Sequence, residues 1–177
     1  IESPLEQVDW LGTLATSPTV VPGITTRQRE YGESPDMDPQ VTPFNLYLGI
    51  DCSGSMGDPA HRLSYPVLAG AIISLSALRA GSRVKVVLSG EPGQSLSTDG
   101  FVGDQKTVLR TLSSYLGTGY AFGIHRLVET FGDVKTNYKT THILIISDSD
   151  MFSMLDERGG GRIGWDVASK SLERCGG

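Results

Sequence analysis

From residue 44 onward, apolar and polar positions fall into blocks of two kinds. NLYLGI at 45–50, RVKVVLS at 83–89 and HILIIS at 142–147 are short apolar or alternating runs of strand length. SYPVLAGAIISLSALRA (64–80), DQKTVLRTLSSYL (104–116), AFGIHRLVETF (121–131) and WDVASKSLERC (165–175) carry longer patterns and predict helices, the second capped by Asp104. Strands alternating with helices predict an α/β fold with a mostly parallel sheet, in which the apolar HILIIS suits a central strand. SGEPGQSLSTDGFVG (89–103) and the segment after Asp148, with glycines at 159–161, are predicted loops.

Ahead of this region the pattern changes. Residues 3–16 open with Ser3, Pro4 and Glu6, the start of a capping box with proline at the first helical position, and Leu5, Val8, Leu11, Leu14 and Ala15 follow near one face. A short helix is predicted there. Pro18, Pro22, Pro35, Pro39 and Pro43 lie among polar residues and predict an extended arm. The expected organisation is therefore a helix and Pro-rich arm over 1–43 and one α/β domain over 44–177.

Composition narrows the classes. The 177 residues suit one sizeable core rather than two. Fifteen basic against twenty acidic residues give a net charge of −5, and no basic run exceeds a pair, so the electrostatic footprint of a nucleic-acid binder is missing. Apolar stretches stop short of the roughly 18 residues of a membrane span, and the start lacks the pattern of a signal peptide. Cys52 and Cys175 do not make a disulfide framework, which points to a reducing, cytoplasmic setting. The missing initiator methionine and the ending ERCGG read as a piece of a longer chain.

The candidate chemistry lies at the strand ends. Two apolar strands run into carboxylates, NLYLGI into Asp51 and HILIIS into Asp148, and ligands of open parallel sheets bind outside the carboxyl ends of the strands. If those strands are neighbours, two like charges converge, which is costly without a cation between them. Ser53 and Ser55 follow Asp51 at every second position in GIDCSGSMG. Two carboxylates with two hydroxyls suit a hard divalent ion such as Mg²⁺. Gly54 and Gly57 supply the conformational freedom such a loop needs.

Asp51-Cys52-Ser53-Gly54-Ser55-Met56 resembles the DxSxS motif, commonly DxSGSM, of von Willebrand factor A (VWA) domains and their metal-ion-dependent adhesion site. The family pattern continues with a threonine in a glycine-containing loop and an aspartate after a central strand. Gly117-Thr118-Gly119 and Ile146-Ser147-Asp148 fill those slots. The resemblance covers residues 44 to about 174. It implies a Rossmann-like, doubly wound sheet flanked by helices, and a metal site of Asp51, Ser53, Ser55, Thr118 and Asp148 holding Mg²⁺ (or Mn²⁺ or Ca²⁺). A protein partner is expected to supply a further carboxylate. This sequence departs from the family in its single glycine before the threonine, which leaves Tyr120 as the rival to Thr118. It also stops before the further strand and helix that close the family's sheet.

DWLGTLATSP, VPGITTRQREYG and LAGAIISLSALRAGSRV look most like bacterial VWA proteins associated with MoxR-type AAA+ ATPases, including the CoxE-like group. That resemblance implies a cytoplasmic, non-enzymatic adaptor working with such an ATPase in client remodelling or complex assembly.

Plainer readings stand beside these. Asp and Ser are common in turns after strands, Asp150 reads as a solvated acid, and Cys52 as a small buried residue. His61, His125 and His142 are scattered, and the glycines at 159–161 lack the lysine and strand of a phosphate loop. The alternative function is a serine hydrolase using Ser53-Gly54-Ser55-Met56-Gly57 as a nucleophile elbow, which would need a histidine from a late loop. An aspartyl phosphatase would favour a second acid where Ser53 stands.

Overall fold

The computed structural model describes residues 43–90, 94–117, 119, 121–132, 140–149, 151–156, 158–159 and 162–175, with 8, 9, 13, 19, 21 and 24–26 ahead of them. The chain divides into two compact units, Ile1–Val41 and Thr42–Gly177. Most of the expected helix over 3–16 lies outside the described residues. In the first unit the Thr13 N–H bonds back to the Asp9 carbonyl at 2.9 Å. The Thr25 hydroxyl accepts from the Val21 N–H at 2.8 Å and donates to the Thr19 carbonyl at 3.0 Å, closing a turn.

The second unit is built on β1 (Asn45–Asp51), β2 (Val84–Gly90), β3 (Gln94–Ser97) and β4 (Thr141–Ile146), in spatial order β3-β2-β1-β4. β1 pairs parallel with both β2 and β4, and β3 pairs antiparallel with β2. The α/β class with a mostly parallel sheet is thus observed. β1 and β2 are the enclosed strands, and HILIIS, as β4, forms one edge of the sheet among the described residues.

Strand alternation sends side chains to two cores. Leu46, Leu48 and Ile50 of β1 and Val84, Val86 and Leu88 of β2 meet Ala77, Val108 and Leu112 on one face. Those partners come from α1 (Tyr65–Arg79) and α2 (Gln105–Leu112). Tyr47 and Val87 turn the other way, onto Leu127, Phe131, Met154 and Val167. These belong to α3 (Arg126–Phe131), α4 (Met151–Asp156) and α5 (Gly164–Arg174). Helices therefore flank both faces in a Rossmann-like arrangement. Burial pushes the Tyr47 phenol well above its ordinary value, and the Glu129 charge adds to the shift.

Two elements differ from the sequence pattern for local reasons. The segment expected as a loop over 89–103 contains β3, an exposed edge strand whose QSLS lacks the β-branched residues that mark strands. The Thr98 hydroxyl fixes the exit of this hairpin, accepting from the Val86 N–H at 3.1 Å and donating to the Gly100 carbonyl at 2.9 Å. The helix expected from Ala121 starts only at Arg126. Ala121 and Phe122 are buried beneath the sheet, and the Gly123 N–H donates to the Ser89 hydroxyl at 3.1 Å. After Asp148 the structure adds α4 and a two-residue hairpin, β5 (Arg158–Gly159) with β6 (Arg162–Ile163), where a loop was expected.

The expected cap of α2 is present. Asp104 accepts from the Thr107 hydroxyl at 2.6 Å and its N–H at 2.8 Å, and these bonds hold its carboxyl below the usual range. The cap's contribution is present above the ordinary carboxylate pKa and is lost as pH falls through the depressed one. Past Leu112, where the helix ends, the Ser113 and Ser114 hydroxyls donate to the carbonyls of Leu109 and Arg110.

One close approach governs the β1 core. A Cβ on Gly49 would stand 2.8 Å from Phe122 Cζ and 2.9 Å from Phe122 Cε2, so this ring packs directly over the β1 backbone. Gly49→Ala should destabilise the protein by about 1–3 kcal/mol in urea unfolding, through overpacking. Gly54→Ala, where a Cβ meets nothing within 4 Å, should stay within about 0.5 kcal/mol of the parent.

Candidate functional site

The chain runs outward from β1 to β2 and β3, then crosses back to place β4 on the other side of β1. The carboxyl ends of β1 and β4 therefore form the switch point of the sheet, the usual binding crevice of open α/β folds. Ile50 is in register with Ile146, so the next residues outward are Asp51 on one strand and Ser147 on the other. Adjacency alone brings Asp51 and Asp148 to one edge.

The motif is shaped by its own backbone. Asp51 is 1 % exposed, and its Oδ1 accepts from the Ser53 N–H at 2.8 Å, the local bond that makes aspartate a turn residue. Ser53, also 1 % exposed, is extended, and Gly54–Met56 then form one 3-10 turn closed by the Met56 N–H on the Ser53 carbonyl. Gly57 leaves that turn with φ of 78°, so it is the glycine of the motif that uses the left-handed region. The Cys52 N–H continues the ladder to the Ser89 carbonyl at 2.8 Å, holding the start of the loop on β2.

Side-chain oxygens then pair in two links. Ser53 Oγ lies 3.0 Å from Ser55 Oγ, and the Ser55 hydroxyl donates to Asp148 Oδ2 at 2.5 Å. The Ser147 hydroxyl donates to Asp51 Oδ2 at 2.8 Å. The structure thus brings together Asp51, Ser53, Ser55 and Asp148, four of the five candidate residues. Thr118, its rival Tyr120 and Asp150 lie outside the described residues. Gly117 and Gly119, on either side of Thr118, have φ of 62° and 69°.

Two contributors carried no sequence signal as site residues. Ser147 was visible only as the residue before Asp148. Tyr115, following α2, directs its hydroxyl to the carbonyls of Ser53 and Gly54 at 3.2 and 3.3 Å, so it braces the motif from a distant segment.

The donor set suits a hard cation. Among the described residues no three His, Cys, Asp or Glu side chains cluster as a metal site, so the softer metals that prefer imidazole or thiolate have no cage here. The Ser53–Ser55 oxygen separation of 3.0 Å matches adjacent corners of an octahedron with bonds of about 2.1 Å, whose edge is about 3.0 Å. Asp51 makes no ion pair with a described residue, leaving its charge to hydroxyl and amide donors. A Mg²⁺-like ion fits these residues.

The nucleophilic readings find little support in this geometry. His142 lies at the far end of β4 from Asp148, about 20 Å away at 3.3 Å per residue, stacked on Phe44 with ring centroids 4.0 Å apart. His61 sits 3.6 Å from Asp58 on the surface, and His125 precedes α3. Burial raises the Cys52 thiol pKa, outweighing an opposing backbone hydrogen bond at Leu116, and the neighbouring Asp51 charge adds a smaller upward push.

A search of solved structures returns the vWF domain of the type V pili tip protein Mfa5 from Porphyromonas gingivalis, at 18 % identity and a TM-score of 0.47. The match covers 60 % of this chain, which spans 38 % of that one. No protein-family profile matches the chain, and no curated protein does. A likeness at this level carries no functional weight, so the chemistry rests on the site's own residues. Among the described residues no helix is long and apolar enough to cross a membrane.

The thiols provide a simple check on the description of the motif. Iodoacetamide should alkylate buried Cys52 more slowly than half-buried Cys175 in the native protein at pH 8, and both at similar rates in denaturant. Peptide mass spectrometry over time reads the two rates directly.

Proposed function

We propose that this chain is a metal-dependent protein-binding domain of the VWA type, with Asp51, Ser53, Ser55, Thr118 and Asp148 as its metal ligands. One observation carries the reading: the β1–β4 pairing brings Asp51, Ser53, Ser55 and Asp148 to the switch point, where Ser53, Ser55 and Asp148 are linked through their side-chain oxygens and Asp51 through the Ser53 N–H. Such a cluster fits Mg²⁺, with Mn²⁺ or Ca²⁺ as substitutes. A bound cation would neutralise the clustered carboxylates and present an electrophilic position to a carboxylate oxygen of a partner protein.

The protein's own groups prepare that position. Ser53 and Ser55 contribute neutral oxygens, so a divalent ion balanced by two aspartates would carry no excess negative charge and would keep a coordination position for an acidic partner side chain. Tyr115 fixes the backbone carbonyls of Ser53 and Gly54, so the hydroxyls hold their spacing without the partner. Binding rather than turnover is favoured because Ser53 bonds to Ser55 and Ser55 to Asp148, and His142 lies at the far end of its strand.

The finer reading is an adaptor of a MoxR-type AAA+ ATPase in a bacterial cytoplasm, acting in client remodelling or complex assembly. Its support is the resemblance of residues 9–32 and the apolar α1 region to that group.

Calorimetric titration with Mg²⁺ and Mn²⁺ should give saturable binding at one site in the parent, lost in Asp51→Ala and in Asp148→Ala while circular dichroism stays unchanged. Equal binding by parent and variants would remove the assignment. Labelling of Ser53 or Ser55 by an acylating serine-hydrolase probe, insensitive to chelator, would favour the elbow reading instead.

A further inference from the structure

Asp51 is as enclosed as Ser53, and among the described residues two hydrogen bonds hold the rotation of its carboxylate. One bond is local, from the Ser53 N–H to Oδ1. The other comes from 96 residues away, from the Ser147 hydroxyl to Oδ2 at 2.8 Å. Ser147 is the register neighbour of Asp51 across the β1–β4 pair, and its own next residue is Asp148. Its side chain therefore sits between the two strand-end carboxylates in the covalent and hydrogen-bonded path that connects them.

We propose that Ser147 is a positioning residue of the metal site: its hydroxyl orients Asp51 and sets the separation of the Asp51 and Asp148 carboxylates, without itself being a ligand. The inference rests on the metal reading above. Like charges at adjacent strand ends repel, and a donor placed between strands opposes both their separation and the rotation of the buried carboxylate. The role is that of the hydrogen-bonded partners that orient ligating carboxylates, whose loss costs 10–100-fold in metal affinity.

The test is Mn²⁺ binding, read from the free-ion electron paramagnetic resonance signal, in the parent, Ser147→Ala, Ser147→Val, Ser147→Thr and Asp51→Ala. Thr and Val have nearly the same shape at a strand end that tolerates branched side chains, and differ in the hydroxyl. Ser147→Ala and Ser147→Val should bind about 10–100-fold more weakly with unchanged thermal melts, while Ser147→Thr should stay within a few-fold of the parent. A merely structural role would move the melts and would not separate Thr from Val. Parental affinity in Ser147→Ala, with binding abolished in Asp51→Ala, would overturn this inference and leave the metal site standing. Absence of saturable binding in the parent would overturn both.

Discussion

Everything in this fold that bears on function depends on β1 being paired on both sides. Its partners β2 and β4 arrive from opposite directions of winding, so the carboxyl end of β1 lies where the two directions part. Asp51 is the residue at that end, and the pairing with β4 supplies Ser147 and Asp148 beside it. A one-residue slip of the β1–β4 register would exchange the faces to which Leu144 and Ile145 point and would carry Ser147 away from Asp51. The apolar packing on both faces thus fixes the spacing of the polar groups at the edge.

Those two cores are built differently. On the face of α1 and α2, aliphatic side chains from alternate positions of β1 and β2 interdigitate, and a Cβ on Gly70 would stand 2.8 Å from Ile50 Cδ1, so α1 lies close on the strand. On the opposite face Gly49 leaves room for the Phe122 ring, and Tyr47 packs tilted against Phe131 at 5.3 Å between centroids. Full burial of each large side chain contributes about 1.5–3 kcal/mol. That apolar support lets a buried Asp51 and Ser53 be held at the rim without bending the sheet.

Much of this was legible in the sequence. The apolar run into Asp51, the long helix after it and the Asp104 cap carry strong local signals, and Asp51, Ser53, Ser55 and Asp148 could be singled out by spacing and by position after strands. What escaped was set by contacts across the chain. QSLS forms a strand only because β2 offers an edge, and the stretch before α3 is tied to the sheet by the burial of Ala121 and Phe122 and the Gly123 N–H bond to Ser89. Ser147 and Tyr115 gain their roles from partners 96 and 62 residues away, which no local pattern encodes.

The central claim is that one hard cation binds where Asp51, Ser53, Ser55 and Asp148 meet. Anomalous diffraction from crystals of the protein grown with Mn²⁺ tests it most directly. A single strong peak within about 2.3 Å of the Ser53 and Ser55 hydroxyl oxygens is the expected result. A manganese peak only elsewhere on the surface, with the Ser55 hydroxyl still bonded to Asp148, would contradict it.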